Sequence, residues 1–297
     1  MDLLYAIAGL RTPFWDSFFE AFTFLGYQTA VVVVICALYW AIDKDLATRV
    51  GLGFFFSGLL VQGLKITFRV PRPWVIDPEF LPVGDSMREA TGYSFPSGHT
   101  QSATSLWMPL GLVSRKWGLR ILFFLIALGV AFSRLYLGVH TPLDVGVALA
   151  LSGGIALVVH FLWDRLRERR GMISWIMLAF ALFVMVYALI LWKTGVITEE
   201  YADGACKAAS VGMGFALGLW LEGRFVNFKV EGPWYIRLLR VPVGLCGVLA
   251  IQNLPKLIFG DLLWVTIFRY FLLALWVSFL YPIIFAKCEG YMGKKSQ

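Results

Sequence analysis

Apolar stretches recur along this chain at about the length that crosses a bilayer as a helix, and they leave little choice of fold. Such a helix needs roughly 20 mainly apolar residues. On that criterion, candidate spans fall near residues 26–42, 50–68, 98–114, 118–138, 143–163, 172–192, 203–222, 237–257 and 263–286. The expected architecture is all-α, a polytopic membrane helical bundle of about nine transmembrane helices. Composition agrees: 59% of the 297 residues are hydrophobic and 15% are charged, far from the balance of a soluble domain.

The net charge of +7 could be the footprint of a nucleic-acid binder. Here, though, the basic residues punctuate the ends of apolar runs instead of covering one soluble face, so membrane topology explains them and no nucleic-acid partner is expected. If loop 43–49 is cytoplasmic, so are Arg115-Lys116, the run Arg165, Arg167, Arg169, Arg170, the group Arg224, Lys229, Arg237, Arg240, and the tail Lys287, Lys294, Lys295. The opposite loops carry Glu199, Glu200 and Asp203. The positive-inside rule then places loops 69–97 and 139–142 outside the cytoplasm. With compact loops and no eukaryotic sorting signal, a bacterial inner membrane is the expected location.

Segment 10–26 spaces Phe14, Phe18, Phe22 and Leu25 on one face and Asp16 and Glu20 on another. It reads as an amphipathic interfacial helix, or as the lower half of a longer first span. Asp2, Arg11 and Asp16 interrupt the apolar core that a cleavable signal needs, so no processed leader is expected. Cys36, Cys206, Cys246 and Cys288 stand singly with no C-x-x-C spacing, and are read as free packing thiols.

Against this background a small set of polar residues stands out: Lys65, Arg72-Pro73, Pro96-Ser97-Gly98-His99, Ser133-Arg134, His140 and Asp144. Ionisable groups at a membrane are too costly to keep without a use. Ser97-Gly98-His99 opens a span, where unpaired N–H groups and the helix dipole can cradle a phosphate oxygen and Gly98 leaves the approach open. Taken alone, the same sequence is an ordinary N-cap. Thr141-x-x-Asp144 with Pro142 at the first helical position fits a capping box. Asp144 can also accept the ring N–H of His140, fixing its tautomer and raising its nucleophilicity, and both roles can hold together. Arg134 offers a fork of donors matched to phosphate. Lys65 alone would read as a snorkelling lysine. Loop 69–96, rich in proline and charge, joins two of these segments and reads as a lid over a substrate headgroup, or as a solvated connector.

In this order and spacing, Lys-x6-Arg-Pro, then Pro-Ser-Gly-His, then Ser-Arg-x5-His-x3-Asp, the residues match three signatures without departure. The chain resembles the type 2 phosphatidic acid phosphatase superfamily, membrane-bound lipid phosphate phosphatases related in fold to vanadium haloperoxidases. The resemblance covers residues 64–145. It implies that His140 is the nucleophile, forming a phosphohistidine and oriented by Asp144, and that His99 is the general acid and then the base that activates water. Lys65, Arg72, Ser97, the Gly98 amide and Arg134 would hold the phosphoryl oxygens. It implies no metal or other cofactor, and no paired carboxylates or His-x-x-x-His arrangement lies near the motifs. The third histidine, His160, is read as structural or interfacial.

Residues 1–170 are therefore expected to form a phosphatase core with its amphipathic N-terminal segment, and 171–297 an additional transmembrane helical bundle. The expected partners are the bilayer and a lipid phosphate or diphosphate substrate: an isoprenoid diphosphate such as undecaprenyl diphosphate as first choice, then phosphatidate, phosphatidylglycerophosphate, a sphingoid phosphate or lipid A phosphate. A rival reading takes the second half, with Lys193, Lys207, Lys256, Arg269 and the packing glycines Gly212, Gly214 and Gly218, as a lipid passage. The protein would then be a lipid transporter or phospholipid-binding membrane protein with a phosphatase-like site, though a pure binder has no need of both His99 and His140. A haloperoxidase is a more remote third reading.

Overall fold

The computed structural model describes residues 1–295, except for the side chains of Glu89 and residues 289–295, so the basic tail residues Lys294 and Lys295 lie outside the described side chains. All regular structure among the described residues is helical. In chain order the helices are α1 (Asp2–Ala8), α2 (Pro13–Phe22), α3 (Gln28–Ala37), α4 (Lys44–Phe68), α5 (Pro73–Ile76), α6 (Ser86–Glu89), α7 (Gly98–Val113), α8 (Trp117–Tyr136), α9 (Pro142–Phe161), α10 (Trp163–Glu168), α11 (Arg170–Lys193), α12 (Glu199–Phe225), α13 (Trp234–Phe259), α14 (Leu263–Leu275) and α15 (Tyr281–Lys295). They form two compact units, one of Met1–Val32 and Arg49–Phe161, the other of Val33–Thr48 and the chain from Leu162 onward.

Seven helical segments are long and apolar enough to cross a membrane, or eight if α2 and α3, bent by 47°, count as one broken span. The ninth expected span is α7. At 16 residues it is about 24 Å long at 1.5 Å per residue, short of a hydrocarbon core of about 30 Å. The reason lies in its position. Thr100, Gln101, Ser102, Thr104 and Ser105 are all buried on α7, which packs along both α8 and α9. Gln101 donates to Ser57 Oγ of α4 (2.8 Å) and to the Phe54 carbonyl (3.1 Å), and the Ser57 and Ser105 hydroxyls lie 2.8 Å apart. A helix with protein on several sides can carry polar groups that lipid would not accept, and among those named Thr104 Oγ1 is buried with no hydrogen-bond partner among the described residues.

The first helices of this unit sit against α8. Thr12 caps α2 by accepting from Trp15 N (3.4 Å), with Pro13 at the first helical position. Tyr136 OH donates to Asp16 (2.8 Å) and the Phe19 ring lies 4.4 Å from that of Tyr136, while Phe14, Trp15 and Phe18 face outward. Two faces of opposite character thus exist on α2 as its sequence requires, and the 47° bend to α3 separates it from a straight span. Loop 69–96 is folded down by main-chain bonds: Ser94 N to Val70 O (2.9 Å) and Val83 N to Leu137 O (3.0 Å). Arg11 adds a bond to the Leu81 carbonyl (2.7 Å).

In the second unit α12 packs between α11 and α14. Gly214 and Gly218 make the α12 crossing possible, because a Cβ there would run into the Phe271 carbonyl and the Ser278 side chain. Lys44 and Glu222 form a buried pair at 2.6 Å, with the Phe228 amide also donating to Glu222 (2.9 Å). The cations of these spans have partners: Lys207 pairs with Asp203, Lys256 with Asp261 (2.6 Å), Arg269 donates to the Gln252 carbonyl (3.1 Å) and Lys193 lies over Trp192 (4.0 Å). The four cysteines are free thiols, Cys36 and Cys206 buried and Cys246 and Cys288 exposed. Gly214→Leu should overpack the α12–α14 crossing and lower stability by about 1–3 kcal/mol, read as a fall in melting temperature in detergent; an unchanged melting temperature would show that the crossing has slack.

Candidate active site

The expected site residues come from five helix ends in the first unit. Lys65 lies three residues before the end of α4, Arg72 caps α5, Ser97 caps α7 ahead of Gly98 and His99, and Arg134 lies in the last turn of α8. His140 precedes α9, whose first turn holds Asp144. These chain ends gather because hydrogen bonds bind them: Ser97 N donates to the Asp144 carbonyl (3.1 Å), and Val139 N to the Arg134 carbonyl (3.2 Å).

Arg72 is the most heavily engaged. Its guanidinium donates from Nε to Gly92 O (3.0 Å), from Nη2 to Thr91 O (2.8 Å) and from Nη1 to Val139 O (3.0 Å), and Nη1 also lies 3.0 Å from His140 Nε2. Arginine is always a donor, so His140 Nε2 is the acceptor and the ring proton belongs on Nδ1. Nδ1 faces both Asp144 Oδ2 and Ser94 Oγ at 3.5 Å, the outer limit of hydrogen bonding. His140 is buried. Burial first, and then Arg72, Lys65 and Arg134, hold its pKa well below the ordinary histidine range. The imidazole is therefore neutral at neutral pH, with its Nε2 lone pair available to any electrophile that displaces Arg72.

Asp144 fills the capping role that its sequence position allows and faces His140 Nδ1 at 3.5 Å. Its Oδ2 accepts from Thr141 N (2.7 Å), and Thr141 Oγ1 accepts from Asp144 N (3.3 Å), which completes the capping box. The same oxygen accepts a 2.6 Å bond from Ser94 Oγ. Ser94 is thus a site residue that the sequence pattern did not single out; nothing distinguishes it from other loop serines until the fold brings it to Asp144.

The phosphate-side groups surround these histidines. Lys65 Nζ donates to the carbonyls of Tyr93 (2.6 Å) and Ser94 (3.4 Å), and Arg134 Nη1 donates to Thr23 Oγ1 (2.9 Å). Thr23, in the turn after α2, was likewise not legible in sequence. Lys65, Arg72 and Arg134 all act electrostatically on both His99 and His140. Among the described residues His99 Nε2 is buried without a hydrogen-bond partner, and its ring stands edge-on to Tyr27 at 4.9 Å. Ser97 Oγ caps α7, accepting from Thr100 N (3.4 Å) and Thr100 Oγ1 (2.9 Å). A Cβ on Gly98 would meet nothing within 4 Å, so the start of α7 is open to an incoming group. His160, at the far end of α9 against Phe161, takes no part.

Three cations, two histidines and a helix start with open space above it are groups that could hold a tetrahedral oxyanion, beside an imidazole nitrogen with a lone pair. Known proteins resemble this chain over the same region. Residues 46–168, which include all eight expected site residues, match the family model described as "PAP2 superfamily", and residues 206–294 match "PAP2 superfamily phosphatase, transmembrane extension". A lipid A 4'-phosphatase of Bacteroides thetaiotaomicron is 29% identical over 182 residues, covering 56% of this chain and 80% of that protein. An undecaprenyl-diphosphatase of Sulfolobus acidocaldarius is 41% identical over 129 residues, 43% of this chain and 60% of that protein. Phosphatidylglycerophosphatase B of Escherichia coli is 41% identical over 83 residues, 27% of this chain and 32% of that protein.

Histidine-labelled protein should show a neutral His140, protonated on Nδ1, by 15N NMR at neutral pH. Because the Arg72 charge disfavours the imidazolium, Arg72→Gln should raise the His140 titration midpoint toward about 6.5, while Arg72→Lys should move it less. A midpoint unchanged in Arg72→Gln would refute the electrostatic coupling.

Proposed function

As the chain belongs to the type 2 phosphatidic acid phosphatase (PAP2) superfamily, we propose that it is an integral-membrane phosphatase that hydrolyses the phosphate monoester or diphosphate head of a lipid without a metal, through a phosphohistidine on His140. The observation that carries this reading is the state of His140: a buried, neutral imidazole whose Nε2 is held by Arg72 and whose Nδ1 faces Asp144.

In this reading an arriving phosphoryl group brings its negative charge to Lys65, Arg72 and Arg134. Arg72 exchanges its bond to Nε2 for bonds to phosphoryl oxygens and thereby releases the lone pair. Ser97 and the Gly98 amide hold a further oxygen at the start of α7. Nε2 attacks phosphorus as the bond to the leaving oxygen breaks, and His99, which takes up a proton from solvent as the phosphate's negative charge arrives, gives that proton to the leaving oxygen. The Nδ1 proton and Asp144 stabilise the charge that develops on the His140 ring. His99, now unprotonated, takes a proton from water as the water oxygen attacks phosphorus. The P–N bond breaks, and inorganic phosphate and free His140 result. The three cations neutralise the phosphoryl oxygens in both steps and serve transition-state charge more than substrate identity.

The substrate of best fit is an isoprenoid diphosphate or a phosphatidate-class lipid. A phosphate site at the ends of apolar helices suits a head that stays at the surface while its tail stays in the bilayer, and the named relatives act on several such lipids. We further propose that the site faces the extracytoplasmic side of a bacterial inner membrane, because the basic clusters at 165–170 and 224–240 mark the opposite side.

Purified protein in detergent with EDTA should release inorganic phosphate from at least one of phosphatidate, phosphatidylglycerophosphate and undecaprenyl diphosphate, and His140→Ala should abolish the release. His99→Asn should slow turnover by about 10²–10⁴-fold and, with a phenolic leaving group that needs no acid, accumulate an acid-labile, alkali-stable phosphoenzyme. Release that survives His140→Ala would sink the mechanism.

A further inference from the structure

One cavity in the first unit is not used by the chemistry above. It is a cleft of about 400 Å³ between α8 and α9 with α7 as its floor, within the size range of small-ligand sites. It exists because α7 packs along both neighbours while α8 and α9 touch each other far less. Met108, Phe124, Ala127, Ala150 and Gly154 line it with Thr104, the one polar residue of the lining, whose Oγ1 is buried with no hydrogen-bond partner among the described residues. Gly153, Gly154, Ala150 and Ala127 open it by withholding side-chain volume, while Leu128 and Leu157, both exposed, stand at its rim.

Its depth relates it to the phosphate site. Met108 follows Gly98 by ten residues on α7, Phe124 precedes Arg134 by ten on α8, and Gly154 follows Asp144 by ten on α9. At 1.5 Å per residue each interval is about 15 Å, half of the roughly 30 Å hydrocarbon core. The three helices that carry the phosphate-holding residues at one end therefore frame an apolar slot at mid-membrane depth.

We propose that this slot holds the hydrocarbon tail of the lipid whose head is hydrolysed at His140. The proposal rests on the phosphatase reading and adds where the tail lies. Thr104 apart, bilayer and slot are equally apolar, so the slot gains nothing by hydrophobicity alone. Its value is orientation: a tail seated between α8 and α9 fixes the head over the start of α7 and toward Nε2 of His140. A surrounding bilayer lipid or a second copy of the chain would fill the slot without any link to turnover, which makes the alternatives separable.

The test fills the slot from its open side. A Cβ at Gly154 meets nothing within 4 Å, and the same is true of Gly146, outside the slot on the same helix. The measured quantity is the ratio of kcat/KM for dioleoyl phosphatidate in mixed micelles to kcat/KM for a short-chain, water-soluble phosphatidate. Gly154→Phe should lower this ratio by about tenfold or more, and Gly154→Leu by less, while Gly146→Leu keeps it. An unchanged ratio in Gly154→Phe would place the tail elsewhere, and an equal fall for both substrates would mean that the new side chain disturbs the fold; either overturns the proposal. A wild-type protein that hydrolyses neither substrate would instead defeat the phosphatase reading itself.

Discussion

A guanidinium buried at the mouth of a helical bundle has to be solvated by something. Around Arg72 that something is the main chain of two separate segments, through the carbonyls of Thr91, Gly92 and Val139, together with the ring of His140. Carbonyl dipoles and an imidazole lone pair can satisfy its N–H groups, but they do not cancel its charge. The same holds for Lys65, held by the carbonyls of Tyr93 and Ser94, and for Arg134 against the Thr23 hydroxyl. The resting site thus has its donors ordered by main-chain carbonyls, a hydroxyl and an imidazole nitrogen. In the proposed reaction a phosphoryl group takes over these donors.

That constraint organises the surrounding structure. Loop 69–96 must close down so that its carbonyls reach Arg72 and Lys65, and once closed it delivers Ser94 to Asp144 (2.6 Å). Asp144 in turn ties the start of α9 to Ser97 at the start of α7 through its own carbonyl (3.1 Å). The segment read in sequence as a lid or a connector is therefore a wall of the site, supplying the acceptors that hold two of its cations. The chemistry lies at helix ends because only there are main-chain groups free to take part.

The parts of this arrangement that were legible in sequence are those whose residue type is dictated by chemistry. The proposed chemistry needs a nucleophilic histidine, its carboxylate partner, a second histidine and phosphate-binding cations, which have few substitutes, so Lys65, Arg72, His99, Arg134, His140 and Asp144 could be named from their order and spacing. Ser94, Thr23 and the carbonyls of Thr91, Gly92 and Tyr93 could not, since a main-chain acceptor has no residue signature and a serine in a long loop has many ordinary uses. The helical class was legible from the apolar runs. The span count was less so: α7 has the hydropathy of a buried helix and the length of neither a full span nor a loop, and its polar residues make sense only once α4, α8 and α9 are seen around it. Gly154 gave no sign in sequence, because its effect is the space it leaves between two helices.

The central claim is that Arg72 guards the Nε2 lone pair of His140 in the resting site and gives it up to a phosphoryl group. The most direct measurement is a structure of the protein with vanadate, which takes up the five-coordinate geometry of the transferring phosphoryl group. The account predicts a bond from vanadium to Nε2 of His140, with Arg72 turned onto the vanadate oxygens and Asp144 still facing Nδ1. Vanadate bound while Arg72 remains on Nε2, or bonded to His99 instead, would contradict it.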